Sequence, residues 1–239
     1  MSEPLLKSET PPYFNTQEVA ETIAALTRGD LILVKGDIGY GLLGHSERAI
    51  KKMYEAKGRP LSNPCIVIGN LDILFDVALI PSKTIDDWIS RTSAWTTLAV
   101  VLPVNPNSKL LAGLSPWVYE QTVTNGTIAL FLNVGPFLEK VIDQSRQSNL
   151  LVVGSSANPT SQGNIYQFSE IPEHLKKAAD FSIDHGRSKY ANADRKATTI
   201  INFTNWSVKR RGINWEKIEP DFLALNESNS VPILSPDIY

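Results

Sequence analysis

Two short cassettes hold the residue types most suited to chemistry in this sequence. Lys57-Gly58-Arg59-Pro60 sets two cations on a loop bent by Gly and Pro. Much later, Ser155-Ser156-Ala157-Asn158 presents small hydroxyl and amide groups where the apolar run Leu150-Leu151-Val152-Val153-Gly154 ends. Lysine as a point charge and arginine as a planar fork suit phosphate or carboxylate oxygens. With small hydrogen-bonding groups at a strand end, they suit a substrate that bears both anions. Each cassette also has an ordinary account on its own. Lys57 complements a helix C-terminus, and Ser, Asn and Pro are the usual turn formers. Position favours chemistry, because open α/β sheets gather ligands at the carboxyl ends of their strands. Everything depends on a fold that brings the two cassettes together.

The elements that must do so alternate along the chain. Asn15 with Glu18 reads as a capping box opening a helix with Val19, Ile23 and Leu26 on one face, closed by Gly29. Leu31–Val34 is a short apolar run suited to a strand buried on both faces, followed by a glycine-punctuated turn from Gly36 to Gly44. Ser46 caps a helix ending near Lys57-Gly58, Cys65–Ile68 is a strand, and Ser82 caps a further helix. Later strands are expected over Leu98–Leu102, Thr127–Leu132, Leu150–Val153, Phe181–Asp184, Thr198–Phe203 and Val208–Arg211, with helices around Phe137–Ile142 and Pro172–Ala179. This order predicts an α/β fold: one twisted, mixed parallel and antiparallel sheet flanked by helices. Residues 1–14 read as an N-terminal tail, 15–218 as the domain and 219–239 as a C-terminal tail.

Composition narrows the function classes. With 239 residues, 42% hydrophobic and 20% charged, the chain is an ordinary globular protein. A net charge of -2 supplies no global field for nucleic acid or membranes, so any anion site is local. The single Cys65 excludes an internal disulfide, suits a reducing compartment, and reads as a small buried hydrophobe. His45, His174 and His185 have no metal-ligating spacing, and no metal ligands are assigned. Met1–Pro12 lacks an apolar core behind a basic start, and no apolar run is long enough to span a bilayer. A cytoplasmic protein without a membrane partner is the expectation.

Lys57-Gly58-Arg59-Pro60 follows the helix Ala49-Ile50-Lys51-Lys52-Met53-Tyr54-Glu55-Ala56, and Pro64 and an apolar strand come after it. This block resembles the YrdC/Sua5/YciO family, as does Gly154-Ser155-Ser156-Ala157-Asn158-Pro159-Thr160, close to that family's SSANPSG segment. Thr198-Thr199-Ile200-Ile201 is similar to its STVVD strand, and Val208-Lys209-Arg210-Arg211-Gly212 to its closing ILRxG. Tyr40-Gly41-Leu42 matches the end of its PTxTxYGL segment, and the likeness runs in order over roughly residues 15–218.

The resemblance implies a YrdC-like sheet around a large concave, positively charged cavity. It implies a nucleotidyltransferase that makes threonylcarbamoyl-AMP from ATP, bicarbonate and L-threonine, releases pyrophosphate, and serves N6-threonylcarbamoylation of adenosine 37 in tRNA. Lys57, Arg59, Ser156 and Asn158 match the family's signature and are implied to be catalytic. Lys57 and Arg59 would offset charge on the ATP phosphates and the substrate carboxylate, Ser156 and Asn158 would hydrogen-bond nucleotide or carbamate oxygens, and Mg²⁺ would bridge phosphates. Lys35, Gly36, Ile38, Tyr40, Pro60, Ser155, Ala157, Arg195, Thr198 and Arg211 are the accompanying binding residues.

The departures concentrate in one place. PTxTxYGL reads Lys35-Gly36-Asp37-Ile38-Gly39-Tyr40-Gly41-Leu42, so two threonines of the amino-acid pocket become Gly36 and Ile38, and Lys35 replaces proline. Asp37 either holds Mg²⁺ or pairs with Lys35. WPGPLT is reduced to Trp95-Thr96-Thr97-Leu98, and the arginine of VRxP is absent from Leu130-Phe131-Leu132-Asn133. Arg195 or Lys196 remains to reach the cavity. Three readings stay open: a threonine-dependent synthase, a divergent paralogue taking another amine or carbamoyl substrate, and a non-catalytic nucleotide- or RNA-binding module. In the last, Lys189, Arg195, Lys196 and Lys209-Arg210-Arg211 would rim the cavity for tRNA or tRNA-modifying partner proteins.

Overall fold

The computed structural model describes residues 15–159 and 162–229. The tail expected over 1–14, the end of the second tail (230–239) and Thr160 of the second cassette's segment lie outside the described residues.

Caps set several helix starts where the sequence places them. Asn15 Oδ1 accepts the Gln17 N–H (3.0 Å) at the start of α1 (Thr16–Thr27), and Ser46 Oγ accepts that of Ala49 (3.1 Å) for α2 (Glu47–Lys57). Each side-chain oxygen satisfies an amide that the helix itself leaves unpaired. The expected box at Asn15 does not close, because the Glu18 carboxylate lies 3.2 Å from His185 Nε2 instead. Gly29, at φ +80°, ends α1 as expected. The further helices are α3 (Leu71–Val77), α4 (Lys83–Trp95), α5 (Lys109–Ala112), α6 (Pro116–Thr122), α7 (Pro136–Gln147), α8 (Glu173–Ala178) and α9 (Trp215–Ser228).

The strands are β1 (Ile32–Gly36), β2 (Gly39–Gly44), β3 (Ile66–Ile68), β4 (Leu98–Pro103), β5 (Val123–Thr124), β6 (Thr127–Leu132), β7 (Val153–Ser156), β8 (Phe181–Ser182), β9 (Thr199–Asn202) and β10 (Ser207–Arg210). Among the described residues they form one sheet in the order β10-β9-β4-β6-β3-β7-β2-β1-β8, with β5 on β6. β1/β8, β3/β6 and β4/β9 pair parallel, and the other pairings are antiparallel, which is the mixed α/β sheet that the element order predicts.

Three stretches differ from expectation. The glycine-rich segment after β1 is not one long turn: only Asp37-Ile38 turn, and Gly39–Gly44 returns as β2 with Gly36 opposite Gly39. Its glycines serve close packing, since a Cβ on Gly44 would lie 2.7 Å from that of Ala49 in α2. The strand expected over Leu150–Val153 sits further on, so that Ser155 and Ser156 lie inside β7, paired with Leu42 and Gly41. Gly154 permits this, because a Cβ there would stand 2.2 Å from Leu42 O. Lastly, residues 219–228, expected as tail, continue α9. Ile218 and Phe222 are buried, and Phe222 packs against Trp88, Phe203, Trp206 and Trp215. Burial of two large aliphatic and aromatic faces outweighs Pro220 within the helix.

Candidate functional site

Sheet order brings the two cassettes into contact. β7 lies between β3 and β2, and α2 packs on β2 and β7, so its last residue reaches the end of β7. Gly58 adopts φ +55° and its N–H reaches Glu55 O, while the Arg59 N–H reaches Tyr54 O (3.0 Å), a left-handed cap that stops the helix immediately after Lys57. Lys57 is 7% exposed, and its Nζ donates to Ser155 Oγ (3.1 Å) and to Ser156 O. Burial, aided by the neighbouring Arg59 charge, pulls this ammonium down from 10.5 to about 7. The Arg59 guanidinium is fixed by the next turn of chain, with Nε on Asn63 O (3.2 Å), one Nη on Pro64 O (2.8 Å), and its plane 5.9 Å from the Tyr54 ring. Ser156 Oγ donates to Asn158 Oδ1.

Lys57, Arg59, Ser156 and Asn158 line a cleft of about 450 Å³ whose other wall comes from the segment before β9, the end of β10 and the segment after it: Arg195, Lys196, Ala197, Arg210, Arg211 and Gly212. Its lining contains the cations Lys57, Arg59, Arg195, Lys196, Arg210 and Arg211 and no Asp or Glu. Lys196 still has carboxylates nearby, Asp194 at 3.6 Å and Glu216 at 3.8 Å. Arg210 is steadied by Thr198 O (2.8 Å), and Arg211 lies 5.6 Å from the Trp215 ring. Gly212 permits the close wall, since a Cβ there would meet Ala197 O at 2.1 Å. Such a cleft repels cations and receives anions with several charged oxygens.

The hairpin residues do not join it. Lys35 Nζ donates to His185 O (2.6 Å) and Arg187 O (3.4 Å). The expected Asp37–Lys35 pair is replaced by Lys189, 3.8 Å from Asp37 Oδ2, because the chain reverses at Asp37 while Lys35 stays on β1. Burial raises the Asp37 pKa, against the pull of Lys189 and Lys35. Tyr40 is buried, with Oη 2.8 Å from both Asp184 Oδ1 and Gly186 O, and burial with that carboxylate pushes its phenol well above its usual value. Gly36 has little room, because a Cβ would sit 3.0 Å from Val134 O. Ile38 is buried, Pro60 is exposed, Ala157 donates its N–H to Tyr40 O (2.7 Å), and Thr198 Oγ1 meets Thr97 Oγ1 (3.0 Å). Of the expected residues, the cleft thus lines Lys57, Arg59, Ser156, Asn158, Arg195 and Arg211, with Ser155 behind Lys57. It adds Asn63, held in its own turn by Pro60 O (3.0 Å), and Gly163 and Asn164, whose place is set by distant backbone that no local pattern reveals.

The donor set does not suit a protein-held Mg²⁺. That ion wants hard, anionic oxygens, and the lining offers amides, hydroxyls and cations. Among the described residues no cluster of three or more His, Cys, Asp or Glu is placed to ligate a metal, and no helix is long and apolar enough to cross a membrane.

Comparison with known proteins gives the family and the fold. The family Sua5/YciO/YrdC, described as telomere recombination, matches residues 24–212. A threonylcarbamoyl-AMP synthase of Bacillus subtilis (strain 168) is 31% identical over 151 residues, which is 60% of this chain but only 39% of that protein. Among solved structures, a hypothetical protein of Streptococcus mutans UA159 superposes with a TM-score of 0.76 at 17% identity, covering 91% of this chain and 94% of that one. P. abyssi Sua5 complexed with L-threonine gives 0.72 at 20% identity, over 93% of this chain and 60% of that one. E. coli YciO gives 0.67 at 17% identity, over 85% and 93%. At these identities the structures speak to the fold.

Proposed function

Because this chain belongs to the Sua5/YciO/YrdC family, we propose that it is a threonylcarbamoyl-AMP synthase-like nucleotidyltransferase acting on ATP, bicarbonate and an amino acid, with L-threonine the first expectation. The single observation that carries this reading is the cationic cleft in which Lys57, Arg59, Ser156 and Asn158 converge without a carboxylate.

In this reading the amine condenses with bicarbonate to a carbamate with loss of water. A carbamate oxygen then attacks the α-phosphorus of ATP, and the bond to pyrophosphate breaks. The chain's contribution is placement and charge: Arg59 is a guanidinium with its orientation fixed by Asn63 O and Pro64 O, so little reorganisation accompanies the reaction. Lys57 stands where a polyanion restores its full charge. Arg195, Lys196, Arg210 and Arg211 face them across the cleft to take the remaining phosphate charge. Mg²⁺, which normally accompanies ATP, would arrive on the nucleotide, and no step here depends on a protein ligand to it. The product would serve tRNA modification.

The test is pyrophosphate release by the purified chain. Release that requires ATP, bicarbonate and L-threonine together is expected; release indifferent to threonine rejects this reading. The hairpin, with Gly36 and Ile38 in place of hydroxyl-bearing residues, favours one second reading, in which another amine is preferred. The same assay across a panel of amino acids and amines separates the two.

A further inference from the structure

Asn164 stands where the hairpin turn meets the cationic wall. Its Nδ2 donates to Ile38 O (2.8 Å) and its backbone N–H to Arg195 O (3.2 Å), and it is 7% exposed while lining the cleft. The flanking backbone is held as tightly. A Cβ on Gly39 would lie 2.8 Å from Ile165 O, the Tyr40 N–H donates to that same oxygen (3.1 Å), and a Cβ on Gly163 would lie 2.9 Å from Arg195 Cβ. The segment is a shim between the two regions.

The chemistry of this contact orients the amide. A carbonyl can only accept, so Ile38 O takes the NH₂ end and leaves Oδ1 turned away from the hairpin. Oδ1 accepts no hydrogen bond from any described residue and is not sealed from solvent, in a residue that lines the cleft. Neighbouring cations supply only donors, and Asn158 Oδ1 already receives Ser156 Oγ. A neutral acceptor, fixed in place and reachable, therefore faces any ligand that lies against the turn.

We propose that Asn164 is a specificity-determining residue: its Oδ1 accepts a hydrogen from the side-chain donor of the amino-acid substrate, so that a hydroxyl-bearing amino acid is preferred over its apolar isostere. The inference rests on the preceding reading that an amino acid enters this cleft. It also explains how a hairpin carrying Gly36 and Ile38 can still present a polar reader.

The experiment compares L-threonine with L-valine, which exchanges the hydroxyl for a methyl, by kcat/KM of pyrophosphate release with ATP and bicarbonate, and measures ATP affinity by calorimetry. The natural chain is expected to favour threonine by about tenfold or more. Asn164→Ala should cut that preference below about threefold with ATP affinity unchanged. Asn164→Asp keeps an acceptor, gives up the bond to Ile38 O and adds a charge that weakens ATP, so at saturating ATP it should retain the preference with a raised KM; that ratio also decides the matter if the alanine variant does not fold. An undiminished preference in Asn164→Ala overturns the proposal, as does a fall in ATP affinity that accounts for the whole loss and assigns Asn164 to the nucleotide. If the natural chain neither turns over nor binds any amino acid, the preceding reading fails with this one; if it turns over threonine and valine alike, this one fails alone.

Discussion

The corner where α2 meets β7 and the hairpin joining β1 to β2 lie close together, and both carry residues that suit anion chemistry. Their polar groups have opposite fates. In the hairpin, Lys35 is bound to two backbone carbonyls and lies in the field of Asp37, Asp37 also has Lys189, and the Tyr40 hydroxyl lies between Asp184 and Gly186. At the corner, Lys57 is buried against a hydroxyl and a carbonyl with no carboxylate in the cleft lining, so its charge is left uncompensated. In the proposed reading, the residues whose partners are complete hold the fold, and Lys57, whose charge is not, is left for a ligand.

The sharpest way to break this comparison is to remove one lysine from each region. Lys57→Met should lower amino-acid-dependent turnover by about 10²–10³-fold, the usual loss for one preorganised electrostatic group, with the circular dichroism spectrum retained. Lys35→Met should lower it by less than about tenfold and lower the melting temperature instead. Equal losses would erase the distinction.

A smaller effect is expected at Tyr40. Tyr40→Phe removes the hydroxyl that lies between Asp184 Oδ1 and Gly186 O and should cost about 1–2 kcal/mol of stability in urea unfolding. Nucleotide affinity should stay within about twofold of the unaltered chain, since Tyr40 is not among the residues that line the cleft. A stable variant with lost affinity would move Tyr40 into the site.

The smallest expected effect is on protons. Below pH about 7, Lys57 is charged in both the folded and unfolded chain. From there up to its ordinary value of 10.5 the unfolded chain keeps a proton that the folded one releases, so this group makes stability rise with pH across that window. A bound polyanion favours the charged form, and ATP binding at pH 8 should take up a fraction of a proton. Calorimetry in two buffers of different protonation enthalpy measures it, and Lys57→Met should abolish it.

Much of the corner was legible because its determinants are local. Ser46 caps, Gly58 stops the helix, and the apolar run before Ser155 announces a strand. Helix α9 was not, since Pro220 suggests a break while the distant aromatic neighbours that bury Phe222 come from α4 and the turn between β9 and β10. β2 hid behind its glycines, which look like turn formers until their neighbours' close approach is known. Within the site, the cassettes and Arg195 were visible as types, but Asn164 was not. Its role comes from Ile38 O and Arg195 O, carbonyls that any sequence would supply.

The carboxylate-free cleft makes the molecule a small ion exchanger embedded in a chain whose net charge is -2. On a column or in a cuvette, its behaviour will follow the valence of the anions present more than the ionic strength. In the proposed reading, phosphate, citrate or polyphosphate in a buffer should compete for the same wall and raise the melting temperature as any ligand of the native state does. Affinities for nucleotide are therefore comparable only when measured against the same, preferably monovalent, counter-anion.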